Sequence, residues 1–307
     1  MINLYDVIIV GSGPAGLSAA LYAKRAMLNT IVIEEMPLSG GQIINTSDVD
    51  NYIGLPGVGG FELAQAFRQH VDSYKAEFKT ASVTKLEDNG SHKTLTLNSG
   101  EQLETKTVII ATGAKNRTLG VSGEAELTGR GVSYCATCDG GFYRGKTVAV
   151  VGGGDVALED AIYLSRICKK VCVIHRRDEF RGAKILSDSV KSLENIEILW
   201  NTTVEKISGT DRLESVDIKN KLSGAVNTLP LDGLFIAVGT VPNSGIINGI
   251  AQLDSGGYIV ADETCKTSAD GIFAAGDVRT KQVRQVITAA ADGACAVDSV
   301  EKYLINC

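Results

Sequence analysis

The sequence is short of several things at once. None of its 307 residues lies in a run approaching the roughly 18 apolar residues a membrane span requires. Its N-terminus, MINLYDVIIVGSG, enters an apolar segment with no basic stretch or cleavage signal before it. No membrane partner and no secretory leader are expected, and the chain reads as a cytoplasmic protein. Positive charge is scarce as well: 30 Lys and Arg face 36 Asp and Glu, for a net charge of −6. That is the wrong sign for holding a nucleic-acid backbone, so no nucleic acid is expected either. The three histidines, His70, His92 and His175, are scattered, and no second C-x-x-C or H-x-x-H joins the pair Cys135 and Cys138. A structural zinc site normally needs four such ligands, so no metal is expected. The other five cysteines, Cys168, Cys172, Cys265, Cys295 and Cys307, have no framework spacing, which fits a reducing compartment. At least two of Cys168, Cys172 and Cys295 are expected to be buried, and Cys307 is expected to be a free terminal thiol.

What the chain has in excess is glycine, 34 residues against 5 prolines, gathered in short clusters. Such clusters suit turns where another backbone or a ligand comes close. With 44% hydrophobic and 21% charged residues, the composition is that of a globular protein, and the length suggests two domains. Residues 6–35 align without gaps on residues 147–176 at a constant offset of 141, with Gly11 matching Gly152 and Gly13 matching Gly154. Each copy reads as an apolar strand, a glycine turn, a helix with small inward residues and a second strand, the opening of a doubly wound α/β fold. TVIIATG at 107–113 and LFIAVGT at 234–240 look like the closing strands. The segment 93–110 suggests a small meander. The tail after residue 246 lacks a βαβ unit of its own, so it is expected to complete the first domain. The division is then 1–116 with 247–307, enclosing 117–246.

GSGPAG at 11–16 fits the G-x-G-x-x-G turn, and Glu34 follows 23 residues after Gly11, where a carboxylate can accept from a ribose hydroxyl. In the second copy, GGGDVA at 152–157 is followed by His175 at the position of Glu34, then Arg176, Arg177 and Arg181. Cations there suit a 2′-phosphate, so the second site is expected to prefer NADPH to NADH. CATCDG at 135–140 can cycle between disulfide and dithiol. A nicotinamide delivers a hydride while thiols exchange electron pairs, so a flavin relay is the natural intermediary.

The motifs GSGPAG, SGGQ at 39–42, DNYIGLPG at 50–57, ATGA at 111–114, GRGVSYCATCDG at 129–140, GGGDVA, HRRDEFR and GIFAAGDV with RQV at 284–286 run the length of the chain. With them the sequence resembles the low-molecular-weight, bacterial-type thioredoxin reductases. The resemblance implies two Rossmann-like domains, the NADPH domain inserted into a discontinuous FAD domain. FAD contacts carry over to Gly11, Ser12, Gly13, Pro14, Ala15, Gly16, Glu34, Gly41, Gln42, Asn51, Ala111, Thr112 and Gly113. On the tail they carry over to Gly276, Asp277, Arg284, Gln285 and Val286. NADPH contacts fall on Gly152, Gly154, Asp155 and Ala157 with His175, Arg176, Arg177 and Arg181. Cys138 would take electrons from the flavin, Cys135 would exchange with the partner's disulfide, and Asp139 would protonate the departing thiolate. The partner is thioredoxin or a thioredoxin-like protein, with a homodimer usual. Family members swivel their two domains, and the glycine-containing junctions near 114–120 and 240–247 would be the hinge. The sequence departs from the family at Gly141, which precedes Phe142 and Tyr143, and at Val156. The relatives left as alternatives are flavoprotein reductases serving other small redox proteins and ferredoxin-linked enzymes. With both domains filling the chain, the electron acceptor is expected to be a separate protein.

Overall fold

The apolar run LYDVIIV forms strand β1 (Leu4–Val10) in the computed structural model, which describes residues 4–46, 49 and 51–306. Val7, Ile8 and Ile9 are fully buried, as expected for a strand covered on both faces. Helix α1 (Pro14–Arg25) starts with a proline in its first turn, where a missing N–H costs nothing. It leads through Ala15, Ala19, Ala20 and Ala23, all buried, to β2 (Thr30–Glu34). There follow α2 (Gly60–Ser73), β3 (Glu77–Thr80), β4 (Val83–Asp88), β5 (Lys93–Leu97), β6 (Gln102–Ile110) and the short β7 (Ala114–Asn116). The sheet runs β3-β2-β1-β6, parallel throughout. The first half of β6 also pairs antiparallel with β5, the hairpin within the meander anticipated at 93–110, and β5 pairs with β4, which lies before that segment.

The second unit contains α3 (Glu124–Leu127), β8 (Val132–Ser133), α4 (Ala136–Asp139), β9 (Thr147–Gly152), α5 (Asp155–Ser165), β10 (Lys170–Ile174), α6 (Lys184–Ser192) and β11 (Ile196–Leu199). A second meander, β12 (Thr202–Ser208), β13 (Ser215–Asn220) and β14 (Val226–Pro230), precedes β15 (Gly233–Ala237). The sheet order β11-β10-β9-β15-β8 is parallel in every pairing. After β16 (Thr240–Pro242), which pairs with β7, the chain supplies β17 (Ile272–Ala274) to the end of β6 and α7 (Val286–Ile305). Ser18 Oγ in α1 donates to Ala290 O in α7 at 2.6 Å. By compactness the units are 1–115 with 241–307, and 116–240.

The two units share a layering that follows from strand alternation. Val7 and Ile9 of β1 pack with α1 and α7, while Ile8 and Val10 pack with Leu86, Leu95 and Leu97 of the meander. In the second unit Val148 and Val150 of β9 pack with α5, and Ala149 and Val151 face the meander residues Val204, Val216 and Ile218. In each, the strand order reverses beside the first strand, between β1 and β6 and between β9 and β15. That switch point is where open α/β sheets bind nucleotides.

Candidate active site

At the first switch point Gly11 has φ +102°, and a Cβ there would lie 2.5 Å from Ala111 O at the end of β6. A Cβ on Gly16 would lie 1.9 Å from Gly11 O, so turn, helix and neighbouring strand are packed backbone to backbone. Gly13 is the N-cap of α1; no side chain caps that helix end, and no atom lies within 4 Å of where a Gly13 Cβ would be. The free N–H groups of the first turn therefore face open space, the arrangement that receives a phosphate. Gly41 sits against Gly13, its absent Cβ 3.4 Å from Gly13 Cα, and Gly40 N donates to Ser12 O at 2.8 Å.

The carboxylate of Glu34 is held by its own fold. Its Oε2 accepts from Ser12 N and Ser12 Oγ, each at 2.7 Å, and its Oε1 accepts from Met36 N at 2.9 Å. A carboxylate has about four acceptor positions, so one remains for a hydroxyl donor such as a ribose. Nearby, Gln42 Nε2 donates to Ala114 O. Thr112 Oγ1 donates to Asn243 O at 2.7 Å, and Asn243 returns a bond from Nδ2 to Thr112 O at 2.8 Å. Asn243 N donates to Gly113 O at 2.9 Å, which fixes the segment carrying Ala111, Thr112 and Gly113.

The tail contributes a second set of groups. Asp277 Oδ1 and Arg284 Nε are buried yet have no hydrogen-bond partner among the described residues. Burial pushes the Asp277 carboxyl above the usual carboxylate range, against the pull of Lys281 and Arg284. The Arg284 guanidinium lies 4.2 Å from the Tyr258 ring centroid. Gln285 caps α7 by exchanging bonds with Thr288, and its Oε1 accepts from Asn51 Nδ2 at 2.8 Å. An open helix N-terminus, a cradle with no room for a Cβ and an unmet buried acceptor together fit a dinucleotide with phosphate and hydroxyl groups.

The second turn repeats the first. A Cβ on Gly152 would lie 2.4 Å from Ala237 O and 2.6 Å from Ala157 Cβ, and Gly154 opens onto free space at the start of α5. Asp155 Oδ1 accepts from Ala183 N at 2.6 Å, while Gly153 O accepts from Arg181 N at 2.7 Å. These bonds pin the arginine loop against the glycine turn. Arg176, Arg177 and Arg181 are exposed. His175 is placed differently from these neighbours: it is 4% exposed, its Nε2 lies 2.9 Å from Glu179 O, and its ring packs on Phe180 and Trp200. Burial holds its pKa below the ordinary histidine value, and Arg181 and Arg177 add to that effect. At neutral pH it is uncharged, so the exposed cationic groups are the three arginines. The ring fills the space above Gly153, where a Cβ would come within 2.2 Å of it.

The redox pair is built at the end of β8. Cys135 is the N-cap of α4 and Cys138 lies inside that helix; they form a disulfide with Cα atoms 5.3 Å apart. Ser133 Oγ donates to Asp139 Oδ2 at 2.6 Å and accepts from Cys135 N at 3.1 Å. Gly140 lets the motif sit directly on α5, since a Cβ there would be 2.8 Å from the Tyr163 ring. Beyond Gly141 the two aromatics diverge. Phe142 is 45% exposed, whereas Tyr143 packs edge-on against Phe235 with centroids 5.3 Å apart. Tyr134 donates its hydroxyl to Glu124 Oε1 at 2.7 Å, and the buried Glu124 also accepts from Leu119 N and Gly120 N. Burial and that carboxylate hold the Tyr134 pKa well above its usual value.

The profile of the pyridine nucleotide-disulphide oxidoreductases matches residues 5–293. The chain belongs to that family. It is 43% identical to a thioredoxin reductase of Listeria innocua over 98% of this chain and 94% of the relative. A thioredoxin reductase of Treponema pallidum is 44% identical over 98% of this chain and 97% of its own length. Among solved structures, the thioredoxin reductase of Streptococcus pyogenes superposes with a TM-score of 0.94 at 44% identity, covering 99% of each chain. The cofactors of this oxidoreductase are FAD and NADPH, on two Rossmann-like domains with the NADPH domain inserted.

Ser133 lies within GRGVSYCATCDG but no role for it is legible there, and Glu124, Asn243, Arg279 and Asp292, which also organise the oxidoreductase site, lie outside the motifs read from sequence. Arg279 is 1% exposed, and Asp292 takes hydrogen bonds from it, from Lys281 and from Gly276 N. Asp292 had one visible signal, an acid within the small-residue run AAADGACAV of a helix that must bury a face. Cys168, Cys172 and Cys265 are buried free thiols and Cys295 is an exposed one; Cys307 lies outside the described residues. Among the described residues no helix is long and apolar enough to cross a membrane.

Proposed function

We propose that the chain is an NADPH-dependent flavoprotein that reduces the disulfide of thioredoxin, or of a thioredoxin-like protein, through FAD and the Cys135–Cys138 pair. The observation that carries this reading is the redox disulfide, with Asp139 beside it, in a chain that repeats the dinucleotide turn at two switch points. FAD would be held by Gly11, Gly13 and Gly16 at its pyrophosphate, Glu34 at a ribose, and Asp277 with the Arg284–Val286 segment. NADPH would be held by Gly154 and the start of α5, with Arg176, Arg177 and Arg181 at its 2′-phosphate and His175 packing the turn beneath them. Bound flavin would supply the conversion of a hydride from the nicotinamide into the electron pair that disulfide chemistry uses.

On the protein side, reduction of Cys135–Cys138 takes up two electrons and two protons and leaves two thiols. The Cys135 thiolate then attacks a sulfur of the acceptor disulfide. The acceptor S–S bond breaks and its electron pair leaves on the departing sulfur, which takes the proton of Asp139. Cys138 next loses its proton, attacks Cys135, re-forms the disulfide and releases the second acceptor sulfur as a thiolate; the two protons given up by Cys135 and Cys138 restore the Asp139 acid and neutralise that thiolate.

The purified protein with FAD is expected to oxidise NADPH only when a thioredoxin disulfide is present. Replacing Arg176, Arg177 and Arg181 by alanine one at a time should lower kcat/KM for NADPH roughly 10- to 100-fold each, as loss of a charge-assisted bond does, with NADH values unchanged. No dependence on the acceptor would sink the reductase reading, and equal losses for NADPH and NADH would sink the phosphate role. The same reading implies a homodimer in the cytoplasm, a compartment that suits the four free thiols seen here. Sedimentation at the monomer mass would remove the dimer.

A further inference from the structure

We propose that Ser133 is a positioning residue for disulfide exchange, its hydroxyl aiming the Asp139 carboxyl at the departing sulfur. The proposal rests on the reading of Asp139 as the acid that protonates the departing thiolate. Ser133 is 5% exposed, and its hydroxyl has one proton and two acceptor positions. The proton is directed at Asp139 Oδ2, at 2.6 Å, rather than at Cys135 O, which is 3.3 Å away. One acceptor position takes the Cys135 N–H at 3.1 Å. Both the nucleophile's backbone and the acid are thereby tied to one oxygen.

The need for such a tie follows from the local fold. Helix α4 spans only Ala136–Asp139, and a single turn does not hold a side chain rigidly at its end. Ser133 instead belongs to β8, registered through Phe235 on β15 in the parallel sheet. The hydroxyl links that sheet directly to the acid at the end of the single helical turn. In the exchange step the Cys135 thiolate bonds to an acceptor sulfur, the acceptor S–S bond breaks, and the departing sulfur receives the Asp139 proton. An acid off its line slows that proton transfer without weakening acceptor binding.

Ser133→Ala is expected to lower kcat with thioredoxin roughly 10- to 100-fold, with KM within about twofold, while NADPH still reduces the flavin. Ser133→Thr, which keeps a hydroxyl, should recover most of the rate. In an Asp139→Asn background, Ser133→Ala should cost nothing more, because the two act as one unit. Single-turnover oxidation of the pre-reduced protein by a nitrophenyl disulfide, whose leaving thiolate needs no proton, should be unaffected by Ser133→Ala. An additive loss in the double variant, or an equal loss with the nitrophenyl disulfide, overturns the proposal. If Asp139→Asn alone leaves kcat unchanged, the acid assignment itself fails, a distinguishable result. Retained flavin reduction by NADPH certifies a folded protein; should Ser133→Ala lose it, Ser133→Gly removes the same hydroxyl for the same comparisons.

Discussion

Cys138→Ser is expected to abolish disulfide turnover, by roughly 10³-fold or more, while NADPH still bleaches the visible absorbance of the bound flavin. The two halves separate because hydride transfer from a nicotinamide to a flavin needs neither cysteine. Without Cys138 the Cys135–Cys138 disulfide cannot form, so no electron pair can be stored on the protein. Cys135 could still form a mixed disulfide with an acceptor but nothing within the pair would resolve it. Stopped-flow flavin reduction beside a steady-state thioredoxin assay checks both halves. Turnover that survived would mean electrons leave by another route, and the pathway through residues 135 and 138 would be wrong.

Asp292→Ala is expected to cost about 3–5 kcal/mol of stability, the range for removing one partner of a buried ion pair. The side chains of Arg279 and Asp292 are only 2% and 7% exposed, and the carboxylate accepts from Arg279 Nε and Nη2, Lys281 Nζ and Gly276 N. Removing it takes the carboxylate from Lys281, leaves Arg279 only the exposed Glu263 carboxylate at 3.5 Å, and frees the loop that carries Asp277. For a unit of this size the midpoint should fall on the order of 10 °C by thermal unfolding, with FAD retention reduced as well. Burial by itself raises the Asp292 pKa, but the bonds from Arg279, Lys281 and Gly276 outweigh it and leave the carboxyl below its ordinary value. A depressed folded pKa contributes stability that is present above the unfolded value near 4 and is lost as pH falls through the folded one. The gap between the native and Asp292→Ala proteins should therefore be flat at neutral pH and narrow below about pH 4. A midpoint shift of less than a couple of degrees at neutral pH would show the cluster to be energetically idle.

What sequence reveals and what it withholds divide along a physical line. The dinucleotide turns are local: the strand, the glycine with positive φ, the close approach of Gly16 to Gly11 and the helix start all fall within a few consecutive residues. That is why Gly11 and Gly152 could be matched by offset and then found against the equivalent carbonyls of Ala111 and Ala237. The C-x-x-C pair is legible for the same reason. His175 shows the limit of such matching. Its place in the repeat was readable, but its ring turns inward against Phe180 and Trp200, because the meander that begins after Trp200 is not encoded at position 175.

By itself, then, the sequence determined the two turns, the redox pair, the arginines after the second strand and the family those motifs carry. Only the tertiary structure decided that Ser133 serves both Asp139 and Cys135, that Asn243 clasps Thr112 across 131 positions, and that Asp292 neutralises a buried Arg279. The reason lies in where each free energy comes from. Backbone conformation is set by a residue and its immediate neighbours, whereas the partner of a buried polar side chain is set by whichever segment packs against it, which no local pattern records.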